Sequence, residues 1–165
     1  ELINEIEPKI KNASLAEKYY INTLTPSSSR EEVLNKYENA LIYASNDPLL
    51  RGWYAYFLED IDERIENINI GLKRFPDNIV LNNMMAYLML EKGDIEAAKN
   101  HININMTIHP DEPNVYDTMG DILLASGDTL EAKEMFLAAY ELSRNLITGA
   151  EEFFNVSKEK ADALN

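Results

Sequence analysis

The sequence contains no cysteine. That single absence excludes disulfides, thiolate nucleophiles, iron–sulfur clusters and cysteine zinc sites. Histidine is nearly missing too: there are two, His101 and His109. Eight positions apart on a helix, they sit about two turns from each other, too far for a paired metal site, and read as surface or interface residues. Basic residues number 15 against 29 acidic ones, a net charge of −14, which repels nucleic acid and anionic membranes. No stretch approaches the roughly 20 apolar residues of a membrane span, and no signal-peptide core is present. Glycine-rich phosphate loops, nucleophile elbows and zinc signatures are absent. Asp60-Ile61-Asp62-Glu63 resembles part of a calcium loop but lacks its glycine and remaining ligands, so it reads as a turn and helix start. These absences point to a non-enzyme with no cofactor, no metal, no nucleic-acid partner and no membrane insertion.

What is present is a folding composition. Hydrophobic residues make up 45% of 165, which suits a packed domain rather than an acidic disordered tail. The acidity is uneven: residues 111–165 hold 12 acidic and 4 basic side chains. That predicts either a solvated face or a surface that attracts a cationic partner. Asparagine occurs 18 times, which hints at an AT-rich genome. In so asparagine-rich a chain the sequons at Asn12, Asn105 and Asn155 read as chance. The chain opens on Glu1; with the lack of cysteine, this favours an extracytoplasmic location, periplasmic or secreted, over a cytoplasmic one.

Glycine and proline are scarce, six of each, so their spacing is informative. Gly93-Asp94 recurs as Gly127-Asp128, 34 residues on, and Pro76 recurs as Pro110 at the same offset. Ala98 and Ala132 match, as do the small residues Ala86 and Gly120. Ile68, Ile102 and Phe136 form one large apolar column, and Leu72, Met106 and Tyr140 another. A period of this length marks a helical repeat. In the unit from Pro113, the residues Val115, Tyr116, Met119 and Leu123 give one amphipathic helix, ended by Ser126-Gly127. Asp128, with Glu131 three positions on, predicts a capping box opening a second helix that carries Ala132, Met135, Phe136, Ala139, Tyr140 and Leu142. Small residues allow two helices to cross closely while a bulky neighbour fills the gap.

These residues resemble the tetratricopeptide repeat family, whose pattern runs large residue, Leu-Gly, large residue, Gly-Asp, Ala, aromatic, Ala and a closing Pro. Tyr116, Met119-Gly120, Leu123, Gly127-Asp128, Ala132, Phe136 and Ala139 follow it, with Arg144 where proline is usual. Residues 79–112 follow it through Met85-Ala86, Met89, Gly93-Asp94, Ala98, Ile102 and Pro110. They depart at Asn82 and Asn105, where a large residue and an alanine are usual. In 47–78 the first helix fits best with Tyr54-Ala55 and Leu58, which implies a turn about three residues short at Glu59-Asp60; Arg64 replaces the small alanine. Residues 29–46 look like a second helix, capped by Ser29 with Glu32. Its first helix falls in about 8–24, with Pro8 near its start and Ile10, Ala16, Tyr19, Tyr20 and Leu24 on it. The end of the chain, with Phe153, Phe154, Val156, Ala161 and Leu164, reads as a terminal capping helix.

The resemblance implies an all-α fold: a right-handed superhelix (α-solenoid) of antiparallel helical hairpins with about 8–9 helices. Residues 1–165 form one domain, divided into a degenerate repeat 8–46, repeats 47–78, 79–112 and 113–146, and a capping helix within 147–165. Trp53 is expected to pack between repeats or, failing that, to make a groove or dimer contact. The family's first helices line a concave groove for a peptide or protein partner. Its register puts Tyr56 and Glu59 there, then Asn83, Tyr87 and Glu91, then Asn114, Asp117, Asp121 and Leu124. Amides suit a peptide backbone, tyrosines suit apolar side chains, and carboxylates suit lysine or arginine. The family's clamp for a C-terminal carboxylate is not matched. Lys18 and Asn22 have the right spacing, but Val80 and Asn114 stand near the later basic positions. The implied function is a non-catalytic protein-interaction scaffold. Two alternatives remain open: an accessory tail of a larger bacterial hydrolase, suggested by Asn114-Val115-Tyr116-Asp117-Thr118-Met119-Gly120-Asp121, and a self-assembling module that forms a homo-oligomer.

Overall fold

The computed structural model describes residues 14–144 and 155–164. Among the described residues there are nine helices and no strand. They are α1 Leu15–Thr23, α2 Arg30–Tyr43, α3 Pro48–Phe57, α4 Ile61–Arg74, α5 Ile79–Glu91, α6 Ile95–Ile108, α7 Pro113–Ser126, α8 Thr129–Ser143 and α9 Asn155–Asp162. The described residues up to Pro76 form one compact unit and those from Asp77 on form another.

Short polar side chains decide where the helices begin. The hydroxyl of Ser14 accepts from the Glu17 amide while the Glu17 carboxylate returns to the Ser14 amide, a capping box that starts α1 at Leu15. Of the residues expected on this helix, Pro8 and Ile10 lie outside the described residues, as do Phe153 and Phe154 at the other end of the chain. Ser29 caps α2 through the Glu32 amide. The Asp47, Asn78 and Asp94 side chains accept from Leu50, Leu81 and Ala97 at 2.9–3.0 Å. Asp60 accepts from both Asp62 and Glu63 at 2.9 Å, so the calcium-loop look-alike is a helix start. Each such cap contributes about 1 kcal/mol. Asp128 departs from the expected capping box and makes no side-chain cap hydrogen bond. Its carboxylate accepts instead from the Ser126 hydroxyl at 2.6 Å. Gly93 and Gly127, at φ 78° and 88°, supply the left-handed residues that end α5 and α7.

In the first unit α1 pairs with α2 and α3 with α4, and α2 also packs on α3. Tyr37, Ala40, Leu41 and Leu50 are buried, with Tyr19, Tyr20, Val33, Tyr54 and Phe57 packed around them. α3 stops at Phe57 and α4 begins at Ile61, so the turn has the same length as the Lys92–Asp94 turn between α5 and α6. The expected shortening falls in the helix instead: α3 has 10 residues where α5 has 13.

In the second unit α5 pairs with α6, α7 with α8, and α5 also touches α7. α9 packs on α8. Ala86, Ala98, Ile102, Val115, Met119, Ile122, Leu123, Ala132, Phe136 and Ala161 make one core. Side-chain volume is exchanged between repeats: Ala86 goes with Ile102, and Gly120 with the larger Phe136. The asparagines that break the family pattern are buried ties. Asn105, fully buried, donates to the Ile79 carbonyl at 2.8 Å and so fastens α6 to the start of α5. Asn82 is 1% exposed, and its side-chain oxygen lies 2.9 Å from His101 Nδ1. His101 is therefore a half-buried member of the α5–α6 hairpin rather than a surface residue. Burial holds its imidazole below the ordinary value.

Candidate functional site

Two places in the molecule combine exposure with chemistry, one in each unit. In the first unit a cavity of about 250 Å³ opens among α1, α2 and α3. Tyr20, Thr23, Leu24, Tyr37, Leu49, Leu50, Trp53 and Phe57 line it, so its wall is almost wholly apolar. α3 creates this wall because both of its faces are apolar. Leu50 and Ala55 point into the core, while Leu49, Trp53 and Tyr56, at spacings of four and three, form an outward stripe. The rotation of α3 is fixed by polar contacts on its other side. Tyr54 donates to Glu38 at 2.8 Å, and Arg51 donates to the Ser45 carbonyl at 2.7 Å and to Asn67 at 2.5 Å. Burial first, and then the Glu38 carboxylate, push the Tyr54 phenol up to about 12.

Trp53, expected to pack between repeats, does face α1 and α2 across the cavity, but it is not buried there. It is 48% exposed and stands edge-on to Tyr56 at 5.8 Å. Tyr56, 60% exposed, is in turn edge-on to Phe57 at 5.3 Å. Glu59 lies just beyond the end of α3 and pairs with Arg30, whose Nε donates to the Phe57 carbonyl at 2.6 Å. Of the two sequence-derived groove positions in this unit, Tyr56 borders the cavity's aromatic wall and Glu59 belongs to an ion pair. The cavity itself was foreshadowed only by the cluster of aromatics from 53 to 57.

In the second unit several of the positions that the sequence assigned to a groove join a polar ladder. The Tyr87 hydroxyl donates to Asp121 at 3.0 Å, across the repeat period. Burial first, together with the Asp121 and Asp117 charges, holds that phenol well above its ordinary value, although a Thr118 hydrogen bond opposes the shift. Thr118 Oγ1 lies 2.8 Å from the Asn83 side-chain oxygen, 2.9 Å from the Asn114 carbonyl and 3.5 Å from the Tyr87 hydroxyl, three acceptors for its one proton. Lys160 of α9 reaches over α7. Its ammonium is 2.8 Å from Asp121 and 3.1 Å from Asp117, and 4.9 Å from the centre of the Phe136 ring. Burial works against that ammonium, yet its hydrogen bonds to Asp121 and Asp117 outweigh burial and raise its pKa. Ser157 donates to Asp117 at 2.6 Å. Asp117 and Asp121 thus come together with Tyr87, and a lysine from the same chain already pairs with both. Glu91, Asn114 and Leu124 are exposed. Nothing in the sequence pattern tied Lys160, Ser157 or Thr118 to this set.

Among the described residues no group of three His, Asp or Glu side chains could hold a metal ion. No described helix is long and apolar enough to cross a membrane. Of the sequons, Asn105 is fully buried with its amide nitrogen committed to Ile79, so the folded chain offers it to no glycosyl donor. Asn12 lies outside the described residues.

No protein-family profile and no curated protein matches the chain. Solved structures do. A MamA chain (residue 41 to the end) from Desulfovibrio magneticus RS-1 is similar at 17% identity and a TM-score of 0.67, over 92% of this chain and 90% of that one. Yeast Tom70 is similar at 19% identity and a TM-score of 0.70, over 96% of this chain but 34% of the yeast protein. Another MamA structure gives 10% identity and a TM-score of 0.60 over 91% of this chain. These neighbours are tetratricopeptide-like helical solenoids. The chain has the tetratricopeptide fold that the resemblance implied.

Proposed function

We propose that the chain is a non-catalytic protein-interaction module that seats an apolar side chain of a peptide or protein partner in the cavity beside Trp53. One observation carries this reading. Leu24, Leu49 and Trp53 line an apolar cavity and Tyr56 stands against Trp53 beside it, each 44–65% exposed, although a folded chain gains by burying such side chains. Aromatic anchors around a partly open pocket are the usual centres of binding energy in protein interfaces. The pocket suits an aliphatic or aromatic anchor, because its lining side chains offer only the Thr23 hydroxyl, the tyrosine hydroxyls and the Trp53 indole N–H as polar groups.

Trp53 is the only tryptophan in the chain, so it reports on its own site. A displayed peptide library selected on the purified chain is expected to yield binders that share an apolar anchor. Those binders should shift Trp53 emission to shorter wavelength as the indole leaves water. Binders that leave the emission unchanged would place the interaction elsewhere.

A further inference from the structure

α9 has little to hold it as a helix by itself. Its eight residues fall well short of the roughly 12–15 an isolated helix needs. It therefore exists by docking. The side chains it buries are small: Ser157 is 2% exposed and Ala161 is fully buried, with Leu164 partly buried beside them. Removing so little apolar surface from water contributes modestly. The strong contacts are polar and converge on α7, where Lys160 meets Asp117 and Asp121 and Ser157 meets Asp117. The Phe136 ring lies beneath the Lys160 ammonium.

We infer that α7 and α8 form a groove that accepts a short amphipathic helix bearing a lysine, and that α9 is its tethered, exchangeable occupant. The partner is a helix of the same chemistry, with a lysine in the place of Lys160 and small residues in the places of Ser157 and Ala161. The lysine is required because Asp117 and Asp121 both turn to one ammonium, at 3.1 and 2.8 Å. The small residues are required because Ala161 sits fully buried against the second unit's core. A free cation would satisfy the carboxylates but leave that apolar floor open. This surface is separate from the cavity beside Trp53 and does not depend on it. A tethered occupant competes at an effective concentration on the order of millimolar. An untethered helix therefore meets a filled groove until the tethered one is weakened.

The test uses a fluorescein-labelled synthetic peptide of residues 155–164 and the full chain. Lys160→Glu sets like charges against Asp117 and Asp121, so α9 releases the groove. This variant is expected to bind the peptide at least about tenfold more tightly than the unaltered chain. Added salt should weaken that binding, and Asp117→Asn with Asp121→Asn in the same chain should abolish it. Equal binding to the unaltered chain and to Lys160→Glu, or binding to neither, overturns the inference. Hydrogen exchange on the unaltered chain gives a second reading that needs no variant. Rising salt is expected to speed exchange in α9 while α7 and α8 stay protected. Exchange of α9 only together with α7 and α8 would make it a fixed part of the stack and overturn the inference as well.

Discussion

Replacing Gly120 with alanine probes the tightest helix crossing in the second unit. A Cβ built there lies 2.5 Å from Phe136 Cε1 and 2.6 Å from Cδ1. Comfortable carbon contacts are about 3.5–4.0 Å, so the ring or the helix must give by about an ångström. The ring has no room to turn, being fully buried, with Lys160 over its face. Overpacking of this kind costs about 1–3 kcal/mol. Against it stands the helix propensity of alanine, about 1 kcal/mol better than glycine. The net expectation is a loss of about 0–2 kcal/mol, or about 2–4 °C in Tm per kcal/mol for a chain of this size. Gly120→Leu should lose more. A double-mutant cycle separates the two opposing effects. In a Phe136→Ile background, which copies the Ile102 of the preceding repeat, Gly120→Ala should be neutral or stabilising. The coupling between the two sites should then exceed about 1 kcal/mol. Urea melts followed by circular dichroism supply the numbers. A Gly120→Ala variant that gains the full propensity term with Phe136 in place, and shows no coupling, would refute the close crossing.

Asn105→Ala tests the buried tie between α6 and α5. The change removes one hydrogen bond to the Ile79 carbonyl, worth about 1 kcal/mol, but also removes a buried side-chain oxygen that has no partner. The repeat that follows carries Ala139 at this position. Stability is therefore expected to hold within about 1 kcal/mol in a urea melt, and a loss above about 3 kcal/mol would contradict this. His101 predicts a pH dependence. Its folded pKa is lowered by burial, so the neutral ring is favoured in the fold. That stability is complete above the unfolded value near 6.5 and is lost as pH falls below it. Melts at falling pH should show a slope that His101→Gln flattens. Glu17 and Glu32, also held low, titrate below this window, Glu32 down to about 2.

Much of the fold was legible because a repeat writes its physics twice. The 34-residue spacing of glycine, alanine and apolar columns placed the helices of the second unit, and the Ser29, Asp60 and Gly127 signals marked helix ends where the structure has them. Local competition hid other features. Asp128 looked like a cap, but the neighbouring Ser126 hydroxyl takes its carboxylate. The surface chemistry was less legible still. Asp117 and Asp121 were read as outward groove positions, yet both meet Lys160, which lies about forty residues away, outside the repeat period. Trp53 looked like packing because a shortened repeat blurs which face of α3 is outward. Only the contacts of Tyr54 and Arg51 settle that rotation.

The most direct test of the interaction role is Trp53 emission during titration with selected peptides, on the unaltered chain and beside binding to Trp53→Ala. Trp53 is 48% exposed, so its loss should spare the fold. A central aromatic anchor is worth about 2 kcal/mol or more, hence roughly a 30-fold weaker Kd for Trp53→Ala. A shift of Trp53 emission to shorter wavelength at saturation, with that loss of affinity in the variant, is the expected result. Tight binding that leaves both the emission and the Trp53→Ala affinity unchanged would contradict it.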